Sequence, residues 1–167
     1  SCAYACAVAY CSDFEAGVGN WTNNGWTWDS GGTTSSATGP TTGANGSTYY
    51  MYFETSGQTV GTTVSITSEC MDISGLTAPS LSFYNHMYGA TMGTLDVLVN
   101  GTNVWSQSGD QGNQWNWAQV DLSAYAGLDV TIEFVGTYGT SFSGDMAIDD
   151  VCLVEYQVIA GCTDPVA

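Results

Sequence analysis

Short runs of alternating apolar and polar residues, parted by turns rich in glycine and asparagine, recur between residues 49 and 154. A period of two puts every second side chain on one face of an extended strand, so each run offers one face to a core. The runs are residues 49–54; Val64 and Ile66; Leu81, Phe83 and Met87; and Leu95, Val97 and Val99, ending at the turn signal Asn100-Gly101. Ala118, Val120 and Leu122 follow, then Val130, Ile132 and Phe134, and last Met146, Ile148, Cys152 and Val154. No segment sustains a period of 3.6, and 21 glycines in 167 residues are too many for long helices. Residues 72–76 and 122–126 have room for a single turn each. Strands at this spacing predict an all-β chain of two packed antiparallel sheets.

Residues 2–11 alternate with the same period. Cys2, Tyr4, Cys6, Val8 and Tyr10 share one face, and Ala3, Ala5, Ala7 and Ala9 the other. A smooth alanine face suits a strand packed closely on a neighbour. Two readings stand: an added first strand tied down by a cysteine, or a strand given to another subunit by β-augmentation. From residue 17 to 48 the chain is rich in Gly, Ser, Thr and Asn, with Trp21, Trp26 and Trp28 placed to anchor loops and short strands.

Charge limits the chemistry sharply. There are sixteen acids, no Lys or Arg and one His, a net charge of −16. Any carboxylate taken out of water must therefore find backbone N–H groups, hydroxyls, a metal ion or a proton. Nothing in the chain can neutralise phosphate, which excludes nucleic acid as a partner. No apolar run approaches the ~20 residues of a membrane helix, so membrane insertion is not expected. The chain does not begin with Met, and Ser1 reads as a processed or excised start.

Six cysteines, Cys2, Cys6, Cys11, Cys70, Cys152 and Cys162, are consistent with three disulfides and a secreted life. Spacing does not choose the pairing. Zinc competes poorly, because no C-x-x-C pair exists and His86 is remote in sequence. Asn20, Asn45 and Asn100 lie in glycosylation sequons.

The order of motifs carries a further reading. Asp13-Phe14-Glu15 opens it, followed by Gly39-Pro40 and residues 49–54, the stretch from Leu81 to Val99, and residues 108–115. Gly144-Asp-Met-Ala-Ile-Asp-Asp-Val151 closes it. Together these resemble the MAM domain, an extracellular adhesion-type β-sandwich module of secreted multidomain proteins. The resemblance implies a two-sheet antiparallel jelly-roll-like sandwich over residues 13–155, with residues 1–12 as an extra N-terminal strand and 156–167 as a tail. The tail's end, from Gly161 to Ala167, is similar to the opening of short Cys/Asp repeats in large secreted bacterial proteins.

The resemblance also implies that the first and last segments lie close together, where some members bind a cation. Strict alternation turns Asp150 to the side of Ile148, and Asp149 to the other. Glu15, Glu54, Asp149 and Asp150 are the candidate calcium ligands, since calcium takes six to eight hard oxygens. The competing reading makes these carboxylates acceptors for backbone amides. Two positions depart from the family pattern and remove oxygen donors: Gly25 precedes Trp26-Thr27 where an Asp is common, and Gly43-Ala44-Asn45 replaces an Asp-His-Thr.

Enzymatic readings are weak. His86 is the sole candidate base, no Gly-x-Ser-x-Gly elbow is present, and the Glu-x-Asp spacing of jelly-roll glucanases is absent. Trp115 and Trp117 share one face of a strand and form a sugar platform if that face meets solvent, or packing if it meets the core. The expectation is a non-enzymatic adhesion or assembly module, extracellular, secreted or on a cell surface. It would contact other proteins or copies of itself, in a fibre or coat. The alternative is a carbohydrate-binding module whose partners are glycans.

Overall fold

The computed structural model describes residues 7–8 and 11–158. Its strands are β1 (Ala7–Val8), β2 (Cys11–Ser12), β3 (Thr22–Asn24), β4 (Thr27–Ser30), β5 (Tyr49–Phe53), β6 (Thr63–Thr67) and β7 (Met71–Asp72). There follow β8 (Pro79–Met87), β9 (Thr94–Val99), β10 (Thr102–Ser108), β11 (Trp115–Asp121), β12 (Asp129–Val130), β13 (Ile132–Thr137) and β14 (Met146–Glu155). The larger sheet runs β11-β8-β14-β5-β4, with β2 added to β14, and the smaller runs β10-β9-β13-β6-β3. A third, short sheet of β1, β7 and β12 joins them, with β1 parallel to β7.

The two main sheets bury their facing sides against each other. Met51, Phe53, Leu81, Phe83, Met146 and Ile148 of one meet Ile66, Leu95, Val97, Ile132 and Phe134 of the other. Phe83 and Phe134 meet edge to face at 5.1 Å, a favoured aromatic geometry. The predicted two-layer all-β architecture holds. β9 alternates buried and half-buried along its whole length, and Asn100 and Gly101 both take positive φ (50° and 82°) in the hairpin to β10. Single 3-10 turns fall at Ser123–Tyr125, as expected, and at Ala44–Gly46. At the other expected place the Leu76 amide donates to the Ile73 carbonyl in a simple turn.

β14 departs from the expected alternation. Between Asp149 and Cys152 its register against β8 slips by one residue, a β-bulge, with Asp150 at φ 47°. Beyond it, Val151 and Leu153 join the core, while Cys152 and Val154 do not. Asp150 is therefore the bulged, half-buried residue rather than a companion of Ile148, and Asp149 is the fully buried acid. One extra residue reverses which side of the strand faces inward.

Cys11 and Cys152 are disulfide-bonded across a separation of 141 residues, tying β2 to β14 where the two already pair. Cys70 is disulfide-bonded as well. Cys2, Cys6 and Cys162, and most of the alternating segment 2–11, lie outside the described residues.

Candidate functional site

The outer face of the larger sheet is covered too. Side chains at 145, 147 and 149 alternate with the core residues Met146 and Ile148, so they point away from the sandwich interior, as do Tyr50 and Tyr52 of β5. Yet Tyr50, Ala147, Asp145 and Asp149 are fully buried. Their cover is a strap, residues 31–48, pinned along its length. Tyr50 donates its hydroxyl to the Gly31 carbonyl at 2.6 Å, and Thr38 donates to the Tyr88 carbonyl at 2.8 Å. Trp115 donates its indole N–H to the Thr42 carbonyl at 3.0 Å.

The strap's last turn meets Asp149. The Ala44 amide donates to Asp149 Oδ2 at 2.8 Å, the Ser47 hydroxyl donates to the same oxygen at 3.0 Å, and the Asp150 amide donates to Oδ1 at 2.8 Å. Gly43 lets the backbone come this close: a Cβ there would press on Ser47 Oγ and lie 3.0 Å from Asp149 Oδ2. Burial outweighs these bonds and pushes the Asp149 carboxyl from 3.8 up to about 6, with the Asp150 charge adding to the rise. Asp145 is handled alike. It accepts from the Thr55 amide and hydroxyl, at 3.0 and 2.9 Å, while burial raises its carboxyl above the ordinary value.

The other acids singled out from sequence fall into two places. Glu15 lies at the exit of the strap and accepts from the Thr48 and Tyr49 amides, the latter at 2.7 Å. Asp150 accepts weakly from Asn45 Nδ2 at 3.4 Å, and burial, with the nearby Asp13 and Glu15 charges, raises its carboxyl. Glu15, Asp149 and Asp150 thus all accept hydrogen bonds from residues 44–49, at and just past the end of the strap. Glu54 stands apart and accepts from Tyr52, Thr34 and Ser56. Burial opposes its ionisation, but those bonds outweigh it and hold the carboxyl below its ordinary value. The donors are hard oxygens of the kind calcium takes. As they stand, no three His, Cys, Asp or Glu side chains among the described residues gather into a metal-holding group.

Trp115 and Trp117 share a face of β11, as the alternation implies, but they meet different surroundings. Trp115 packs edge-on against Tyr50 and His86 at the margin of the strap. Trp117 lines an open cleft with Trp105 and several amide side chains. His86 is 2% exposed, with Nε2 3.1 Å from Asn113 Oδ1, and burial lowers its pKa, so the ring is neutral near pH 7. Its place between Trp115 and Tyr88 is one of packing. Sequence reasoning passed over Asp145 and the strap. Alternation puts position 145 on the outer face, but no local pattern says that this face is roofed by a segment a hundred residues away.

A jelly-roll-like antiparallel β-sandwich, closed by a disulfide near its chain ends and roofed on one face by a strap, is the class of module these features define. The chain belongs to the MAM family: the MAM domain (meprin/A5/mu) matches residues 11–157. It is 39% identical over 113 residues to MAM domain-containing glycosylphosphatidylinositol anchor protein 1 of Gallus gallus, covering 63% of this chain and 12% of that protein. The chain thus spans about an eighth of that relative. Among solved structures it resembles the K3 cleaved adhesin domain of Lys-gingipain from Porphyromonas gingivalis, with TM-score 0.65 and 14% identity over 87% of this chain and 98% of that one. It also resembles a family 11 carbohydrate-binding module from Clostridium thermocellum, with TM-score 0.51 and 18% identity over 90% and 97%. At these identities the structural likeness speaks for the fold alone.

Proposed function

We propose that this domain is a non-enzymatic adhesion module that works outside the cell, or at its surface, by contacting other proteins. The observation that carries this reading is the family match over residues 11–157, with a relative whose name describes a glycosylphosphatidylinositol anchor protein. The Cys11–Cys152 disulfide agrees with an oxidising compartment. The acidic surface of a chain with net charge −16 favours partners with basic or neutral faces.

In its finer form the proposal is self-association into a fibre or coat. Ala7–Val8 pair in parallel with Met71–Asp72 of the same chain, and exchange between copies would reuse that ladder. Calcium belongs to the same proposal: a divalent ion near Glu15, Asp149 and Asp150 would offset the repulsion among these acids. Size-exclusion chromatography and electron microscopy of the chain, in calcium and in chelator, test both. Assembly lost on deleting residues 1–10, which spares Cys11, supports strand exchange, and assembly that persists removes it. A melting temperature that rises in calcium supports the ion, and an unchanged one leaves the acids as amide acceptors. Failure of an immobilised domain to retain any protein from the surface of its own source cells would count against the adhesion reading.

A further inference from the structure

The two sheets do not close on each other everywhere. One edge of the smaller sheet is β10, one edge of the larger is β11, and between them lies a cleft of about 340 Å³. That is within the ~300–1,000 Å³ usual for small-ligand pockets. Two local departures from the sandwich pattern build it. On the inward face, where β8 carries Phe83 and Met87 and β11 carries Val120, the paired positions Asn85 and Asn116 are amides. Asn85 is only 3% exposed. Its Nδ2 donates to the Asn116 backbone carbonyl at 3.1 Å, while its Oδ1 accepts no hydrogen bond among the described residues. The second departure is a bulge between Asn103 and Trp105, which sets Trp105 opposite the inward-facing Val97. There its ring stands edge-on to Phe83 at 5.0 Å.

The rest of the lining is of one kind. Gln107, Gln114 and Asn116 bring side-chain amides that make no hydrogen bond among the described residues, while Trp117, on the same face of β11 as Trp115, borders the cleft from the other side of the strand. None of the lining residues is charged, in a chain that carries sixteen acids. Each amide offers both donors and acceptors. A ligand that fits must answer in kind, with several uncharged groups that donate and accept, and must present an apolar face to tryptophan. An apolar ligand would strip water from the amides and leave them unpaired, which opposes binding. An anion would meet the field of a strongly negative protein. Vicinal hydroxyls on a pyranose ring, with a C–H face for stacking, meet every condition. We propose that the cleft between β10 and β11 binds a neutral oligosaccharide, with Asn85, Gln107, Gln114 and Asn116 as hydrogen-bonding groups and Trp105 as the stacking platform.

The test is titration of the intact chain with cello-, laminari-, manno- and chitotetraose, followed by calorimetry and tryptophan fluorescence. At least one should bind at one site per chain and change the tryptophan emission. Its affinity should stay within about twofold between roughly 0.05 and 0.5 M NaCl, because no charge takes part. The double substitution Gln107→Ala, Gln114→Ala alters residues that solvent already reaches, and should weaken binding at least about tenfold with an unchanged melting temperature. Trp105→Ala should abolish binding, and is read beside the double variant because it also removes the Phe83 contact. No binding by any of the four sugars, or full binding by the double variant, would overturn the proposal.

Discussion

Asp149→Asn turns the handling of buried acids into a measurement. The folded protein holds the Asp149 carboxyl at about 6, against 3.8 for an ordinary aspartate. Such a group binds its proton more tightly folded than unfolded. Its stabilising contribution is therefore complete below 3.8 and is lost as pH rises through about 6. Over the full titration that difference corresponds to roughly 3 kcal/mol, of which at most about 2 kcal/mol is reached by about pH 4.5. Asparagine keeps the shape and does not titrate. The wild-type chain should thus gain about 1–2 kcal/mol on the variant between about pH 8 and about pH 4.5. For a domain of this size that is a relative gain of about 2–8 °C in melting temperature, readable by calorimetry or circular dichroism. Asp145, whose carboxyl is also raised, is common to both proteins and drops out of the difference, whereas Asp150 is coupled to Asp149 by charge and its titration is part of what is measured. A difference that stays flat across this range, or grows with rising pH, would refute the reasoning.

Removing the Cys11–Cys152 bond by Cys11→Ser with Cys152→Ser opens a closure of 141 residues, and chain entropy puts the loss near ~5 kcal/mol; denaturant unfolding should show most of it. Gly43→Ala should lift the strap from Asp149, since its methyl meets Ser47 Oγ and the Tyr49 carbonyl oxygen, the latter at 2.9 Å. A loss of about 1–3 kcal/mol is expected, with faster exchange of the Ala44 amide by NMR. Phe134→Ala, at the centre of the sandwich, should cost about 3–5 kcal/mol in the same unfolding assay.

The parts of this fold that sequence made legible are those governed by local alternation. Leu95, Val97 and Val99 could be placed inward because nothing interrupts their strand, and Asn100-Gly101 could be placed in a hairpin because both residues tolerate positive φ. The bulge at Asp150 was not legible. A single inserted residue leaves no mark in a periodic pattern. Yet it exchanged the roles of Asp149 and Asp150, and it turned Val151 and Leu153 to the core in place of Cys152 and Val154. The strap was hidden for a different reason. Residues 31–48 hold no periodic pattern, and their contacts with Asp145 and Asp149 span about a hundred positions, which only the folded chain brings together. Asn85 and Asn116 did interrupt the apolar runs of their strands, but their meaning depended on the pairing that sets them side by side.

In a chain without lysine or arginine, burial outweighs the backbone amides and hydroxyl that hold Asp149, and so keeps its proton on to higher pH. Carbon-detected NMR of the Asp149 carboxyl, titrated in metal-free buffer while the Ala44 and Asp150 amide protons are followed, tests this most directly. The predicted result is a midpoint of about 6, with both amides shifting along the same curve. A midpoint at or below 3.8, or amides that ignore the titration, would contradict it.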